Sequence, residues 1–334
     1  MSTASVSLRS ARSAPWPGMM FFAGFTAFVG AAAAIAAALP LPAAIAIVFL
    51  FAGPHNLLEA RYMLGRLPAR AGRLRPFFIT ACGGAITLAA LFAALPWTTG
   101  AGLDARFAHA SWNAALCAWV AALVVLRSHS NPRFNAEWVP AAATLVAVAQ
   151  WPWPWVFGLG LVFLHPLMAL AVLHREVRRS HPEWLPACRA AVATVPLGIV
   201  AIWAATASGG DLAVRSEMEA AVVRGAGVDI LGLASTRALV AIHAFLELVH
   251  YGVWIVVLPA VGMGSAPWRI DTVPLARRGR AWARLVATIL ASGALAVAVL
   301  WMCFCIDYAT TRHVYFTRSE EHTSELQSRV DISY

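Results

Sequence analysis

Apolar runs long enough to cross a bilayer recur along most of this chain, separated by short connections that carry arginine. A hydrocarbon core about 30 Å thick is spanned by roughly 20 predominantly apolar residues in an α-helix. The runs therefore predict an all-α fold, a polytopic integral membrane helical bundle of about nine transmembrane helices. They lie over about 19–39, 43–62, 76–95, 108–126, 137–149, 155–174, 187–207, 234–263 and 281–306. Together they make one transmembrane helical domain, 19–317. Residues 1–18 form a polar, Ser/Ala-rich N-terminal segment with Arg9 and Arg12. The first run is too long for the core of a signal peptide and has no clear cleavage site, so it is read as a retained helix.

Charge decides the orientation. Only 12% of residues are charged and 60% are hydrophobic, against about 25% charged in an ordinary soluble domain. The formal net charge of +9 comes from arginine alone, since the chain has no lysine. Arginines collect in alternate connections: the N-terminus, Arg61 to Arg75, Arg127 and Arg133, Arg175 to Arg189, and Arg269 to Arg284. The intervening connections are short, neutral or acidic. The positive-inside rule then places the N-terminus in the cytoplasm. It also explains the net charge without a nucleic-acid partner. Membrane lipids are the expected surroundings, and a bacterial inner membrane the expected location. No phosphate-binding glycine loop, serine nucleophile elbow or nucleic-acid motif is present.

Polar residues inside the apolar runs carry the functional signal, because ionisable groups at membrane depth are costly and mostly face a bundle interior. Ala241 to Trp254 reads AIHAFLELVHYGVW. His243, Glu247 and His250 are spaced four and then three apart, so one helix face presents all three. His55 and Glu59 repeat the four-residue spacing in the second run, and His165 stands near the middle of the sixth. Imidazole plus carboxylate is a ligand set for iron, manganese or zinc, and helical pairs at these spacings build such sites in bundles. His55, His165, His243, His250, Glu59 and Glu247 are thus the candidate metal residues. Glu59 and Glu247 serve either as ligands or as partners of the second imidazole nitrogen. The same residues suit a proton pathway or a polar seam between helices.

Other features read as architecture. His109, His129, His181 and His313 lie near run ends and are assigned to the interface, with His174 intermediate. Arg61, Tyr62 and Arg237 are placed to reach the membrane surface. Trp151-Pro-Trp-Pro-Trp155 fits an aromatic belt. Tyr251 and Trp254 are expected in interior packing or along a pocket. Cys82, Cys117, Cys188, Cys303 and Cys305 form no Cys-x-x-Cys pair and read as small hydrophobes. The stretch 318–334 departs in composition, and RSEEHTSELQS (318–328) looks like a translated sequencing adapter. It is set aside as a non-native tail. The natural reading frame is expected to continue past Thr317 with a further helix beginning at Val314.

Phe51-Ala-Gly-Pro-His55-Asn-Leu-Leu-Glu59 resembles the early signature of the Brp/Blh family of bacterial and archaeal membrane β-carotene dioxygenases. In that signature a Gly-x-Pro-His is followed by Gly and, four residues after the His, by Asp. Here Asn56 and Glu59 stand in place of that Gly and Asp, and His243 and His250 are wider apart than the family's later His pair. The resemblance implies a non-haem iron held by histidines of several helices, with His55 a ligand and Glu59 in the place of the Asp. The leading expectation is a non-haem iron oxygenase or hydroxylase acting on a lipid-soluble substrate such as a carotenoid or fatty chain, with haem left open as the iron's form. A proton-coupled transporter with His/Glu relays and a non-catalytic membrane assembly or scaffold protein are the alternatives.

Overall fold

The computed structural model describes residues 16–66, 72–129, 135–232, 234–263, 268–308 and 310–311. Arg9, Arg12, Arg70, Arg133, His313 and the tail 318–334 lie outside the described residues. In chain order the α-helices are α1 (Trp16–Ala38), α2 (Pro40–Arg66), α3 (Arg75–Gly100), α4 (Ala105–Ser128), α5 (Val139–Ala149) and α6 (Pro154–Ser180). They continue with α7 (Leu185–Val192), α8 (Thr194–Thr206), α9 (Glu217–Gly225), α10 (Thr236–Gly252) and α11 (Arg280–Ile306). Among the described residues there is no strand.

Among the described residues, eight segments are long and apolar enough to cross a membrane: Pro17–Ala38, Pro40–Arg66, Gly72–Gly100, Ala105–Ser128, Pro154–Ser180, Pro182–Thr206, Thr236–Gly262 and Arg280–Ile306. The chain is a multi-pass integral membrane protein. Large apolar side chains such as Ile79, Ile86, Leu197 and Leu295 are exposed along these helices. An apolar surface of that extent needs lipid, not water, as its solvent.

The count differs from the nine spans expected. The fifth run forms α5, which has 11 residues. At ~1.5 Å per residue it rises about 16 Å, half of a hydrocarbon core. Prolines limit it: Pro140 sits in its first turn, while Pro152 and Pro154 follow its last residue. It still carries the chain back along α4. Val139 packs with Ala121 near the foot of α4, and Gln150 donates to Ala110 O at 3.0 Å near its head. Asn113 closes the junction by donating to Gln150 Oε1 (2.9 Å) and Pro154 O (3.1 Å). α6 therefore starts at the end where α4 starts.

Two other spans are interrupted where backbone donors fail. The segment expected over 187–207 is split at Ala193 into α7 and α8, because Pro196 has no N–H for the carbonyl of Val192. Beyond Gly252, α10 widens into π-helical turns over Val253–Val257 and Pro259–Met263. There Leu258 N–H donates to Val253 O, five residues back, and Pro259 offers no donor. The polar stretch before α10 holds one helix missing from the expected organisation. Ser216 begins α9 by accepting from Glu219 N–H at 3.2 Å, a Ser-x-x-Glu start that the sequence displays. Asp211 Oδ1 accepts from Thr236 N–H and fixes the start of α10.

α10 is the axis of the molecule, with α1, α2, α6 and α8 packed around it. Phe245 is wholly buried and faces Gly198 of α8, where an added Cβ would lie 2.7 Å from its ring. Gly252 makes the same accommodation for Phe28 of α1. The arginine-bearing ends of α2, α6 and the α10 extension meet. Arg66 pairs with Glu176 of α6 and reaches Gly262 O at 3.3 Å. Arg61 is 4% exposed and donates to Thr272 Oγ1 at 2.7 Å. It locks α2 to the connection before α11 instead of reaching the membrane surface as expected. In that connection Arg269 hydrogen-bonds Asp271 and holds its carboxyl below the usual range.

Candidate functional site

α2, α6 and α10 bring imidazoles together at one level. His55 and His250 have ring centroids 5.4 Å apart, and His165 and His250 are at 4.9 Å. Tyr251 lies tilted against His55 at 4.4 Å and meets His250 edge-on at 5.5 Å. A proline adjoins two of the three positions: Pro54 precedes His55 and Pro166 follows His165. Each removes a helical N–H and leaves the local backbone with an unmatched acceptor.

Hydrogen bonding fixes two of the rings. His55 Nδ1 lies 3.0 Å from Phe51 O, and His250 Nδ1 lies 3.3 Å from Pro166 O. A carbonyl only accepts, so both Nδ1 atoms carry the proton and both Nε2 atoms keep a lone pair. His250 is 3% exposed, and its Nε2 is buried with no hydrogen-bond partner among the described residues. A buried lone pair without a donor forfeits about 1–3 kcal/mol of solvation, which a ligand at that atom would restore. His165 is different: it is exposed, on the edge of the lipid-facing stripe formed by Leu164 and Met168.

The six candidate residues are divided between this cluster and a neighbouring pair. His55, His165 and His250 form the ring cluster. His243 stands two turns away on α10, about 10 Å along the helix axis at ~1.5 Å per residue. Its Nε2 lies 3.7 Å from Glu247 Oε1 on its own helix, and its ring lies against Phe163 at 5.7 Å. Glu59 is half-buried one turn beyond His55. Among the described residues no three His, Cys, Asp or Glu side chains are gathered closely enough to hold a metal ion as they stand. The donor types, the pinned tautomers and the bare Nε2 of His250 fit a transition metal; the full six-residue set does not form one ligand group.

A second polar centre lies toward the arginine-bearing end. Glu176 is 1% exposed, yet its carboxylate is paired with Arg66 and accepts from Tyr62 Oη at 2.6 Å and Ser180 Oγ at 2.7 Å. Tyr62 packs edge-on against Trp254 at 5.7 Å. Tyr62 and Trp254 are thus interior, as expected for Trp254 and contrary to a surface placement for Tyr62. Sequence reading overlooked Glu176 because Arg175, Arg178 and Arg179 surround it and give the stretch the look of a solvated helix end. The available signal was α2, where His55, Glu59, Tyr62 and Arg66 recur at helical spacing on one face.

The remaining histidines are dispersed. His109, assigned to the interface, is buried against Trp155 at 4.5 Å. His129 is exposed, and His181 stacks on Trp184 at 4.1 Å. Of the cysteines only Cys188 is fully buried, while Cys82 and Cys305 are exposed on membrane helices. Compared with known proteins, the chain matches no family model, no curated protein and no solved structure.

Proposed function

We propose that the protein is a membrane oxidoreductase in which His55 and His250, joined by His165, hold a transition-metal ion beside a lipid-soluble substrate. The observation that carries this reading is the bare, buried Nε2 of His250 next to two further imidazoles from different helices. Iron is the metal this nitrogen-rich set suits best for oxidative chemistry, with Glu59 as an added ligand or a proton acceptor. Such an ion would supply a redox-active or Lewis-acid centre with positions left open. The chain's own contributions are to present Nε2 lone pairs in fixed tautomers and to screen them with Tyr251 and the α10 backbone. The substrate, a carotenoid or a fatty chain, reaches the cluster past His165. By the positive-inside rule the arginine-bearing end faces the cytoplasm, and the host membrane is a bacterial inner membrane.

Metal analysis of the full chain purified in detergent tests this. Near-stoichiometric iron is expected in the native protein. His55→Ala and His250→Ala should each lower it at least tenfold, whereas His243→Ala should retain it. Native protein that folds normally and carries no transition metal refutes the proposal.

The polar ladder of α2 supports a second reading, a proton pathway for coupled transport. His55, Glu59 and Tyr62 lead toward Glu176 along one interface. That reading predicts metal-free protein and proton flux in proteoliposomes that falls at least tenfold in Glu59→Gln. Unchanged flux in that variant would reject it.

A further inference from the structure

A cavity of about 500 Å³ opens between α1, the 3₁₀ turn Pro182–Trp184 and the π-helical extension of α10. Phe21, Phe25, Phe28 and Trp184 form its aromatic wall, and Val256 and Val257 face them. The volume is that of a small-molecule site, yet the lining offers no side-chain hydrogen-bonding group apart from the Trp184 indole. An occupant must therefore be hydrocarbon in the part that enters. The cavity exists because Gly24 and Gly252 contribute no side chain to it. A Cβ on Gly24 would meet nothing within 4 Å, and Gly252 stands against Phe28.

Position decides which hydrocarbon. Pro17, Met20 and Phe21 belong to the first turns of α1, so the cavity is at the arginine-bearing end of the bundle. Its Trp184 follows directly on the end of α6, where Arg175, Arg178 and Arg179 are exposed, and Arg189 is exposed one turn further on. Glu183 is the one acidic residue exposed in that stretch, so the chain on either side of Trp184 is strongly positive. An indole beside a dry apolar slot and clustered guanidinium groups on the turns that flank that indole in the chain are the parts of an anionic-lipid site.

We propose that this cavity holds an acyl chain of one anionic phospholipid, whose phosphate is paired with the arginines in the last turns of α6. The site is independent of the imidazole cluster: it lies on the α1 side of α10, whereas His55 and His250 meet on the α2 side. A lipid seated there bridges α1 and α10 and fills space that protein side chains leave open.

The full chain in detergent, incubated with phosphatidylglycerol or phosphatidylcholine micelles and passed over a gel-filtration column, tests this by lipid mass spectrometry. Native protein should retain about one phosphatidylglycerol and at least fivefold less phosphatidylcholine. Gly24→Trp should lower the retained phosphatidylglycerol at least fivefold. Gly30→Trp, equally open at its Cβ but outside the cavity, should leave it unchanged. Val256→Trp fills the cavity from the opposite wall and serves if Gly24→Trp does not fold. The double variant Arg178→Gln/Arg179→Gln should abolish the preference for the anionic headgroup. Equal retention of the two lipids by native protein, or full retention in a folded cavity-filling variant, overturns the proposal.

Discussion

Arg66→Ala is expected to destabilise the protein by about 3–5 kcal/mol, the usual cost of leaving one partner of a buried ion pair uncompensated. The magnitude follows from asymmetry in the pair. Glu176 is 1% exposed at its side chain and Arg66 22%. Without Arg66, the carboxylate keeps only the Tyr62 and Ser180 hydroxyls as partners. Without Glu176, the arginine can move toward the headgroups. Glu176→Leu should therefore cost less than Arg66→Ala. The double variant Arg66→Leu/Glu176→Leu should recover most of the loss, because two apolar side chains leave no buried charge. Equilibrium unfolding in mixed detergent micelles measures all four proteins. An Arg66→Ala variant as stable as the native chain would show that the pair holds nothing together.

Gly198→Leu should be comparably damaging, with overpacking of about 1–3 kcal/mol or more. An added Cβ already lies 2.7 Å from the ring of Phe245, which has no exposed surface and no free volume to retreat into. Gly252 offers an even closer approach to Phe28, at 2.2 Å. That ring is only half-buried, however, so it can rotate away at smaller cost. Burial of the neighbour, not bare distance, sets the order. Gly30→Ala is the control: nothing lies within 4 Å, and removing a helical glycine should stabilise by about 0.5–1 kcal/mol. Thermal denaturation of the three variants reads the sequence Gly30→Ala above native, Gly252→Ala below it, Gly198→Leu lowest. Any other order argues that α8 and α10 do not pack as described.

The membrane fold was legible because lipid enforces a simple length rule, and the apolar runs that became α1, α2, α6 and α11 are close to their expected bounds. The rule fails where proline intervenes. Pro140, Pro152 and Pro154 confine α5, and Pro196 divides α7 from α8, although hydropathy alone reads both stretches as continuous. Helical spacing placed His243, Glu247 and His250 on one face of α10, and the run bounds placed His165 near the middle of α6. What spacing could not supply was the rotation of each helix about its own axis. That rotation turns His55 and His165 toward the ring of His250, buries Glu176 under Arg66 and Tyr62, and leaves His165 partly outward. Ring orientation and a backbone partner on another helix, such as Pro166 O for His250, belong to tertiary packing and carry no sequence signature.

The outward edge at His165 has a kinetic meaning. On the proposed reading, a lipid-soluble substrate meeting that imidazole arrives by lateral diffusion within the bilayer and never crosses water on its last step. Its effective concentration is therefore a mole fraction in lipid, set by partitioning, and adding bare vesicles at fixed total substrate dilutes it. Saturation measured against molar concentration will shift with the amount of lipid present, while saturation measured against surface density will not.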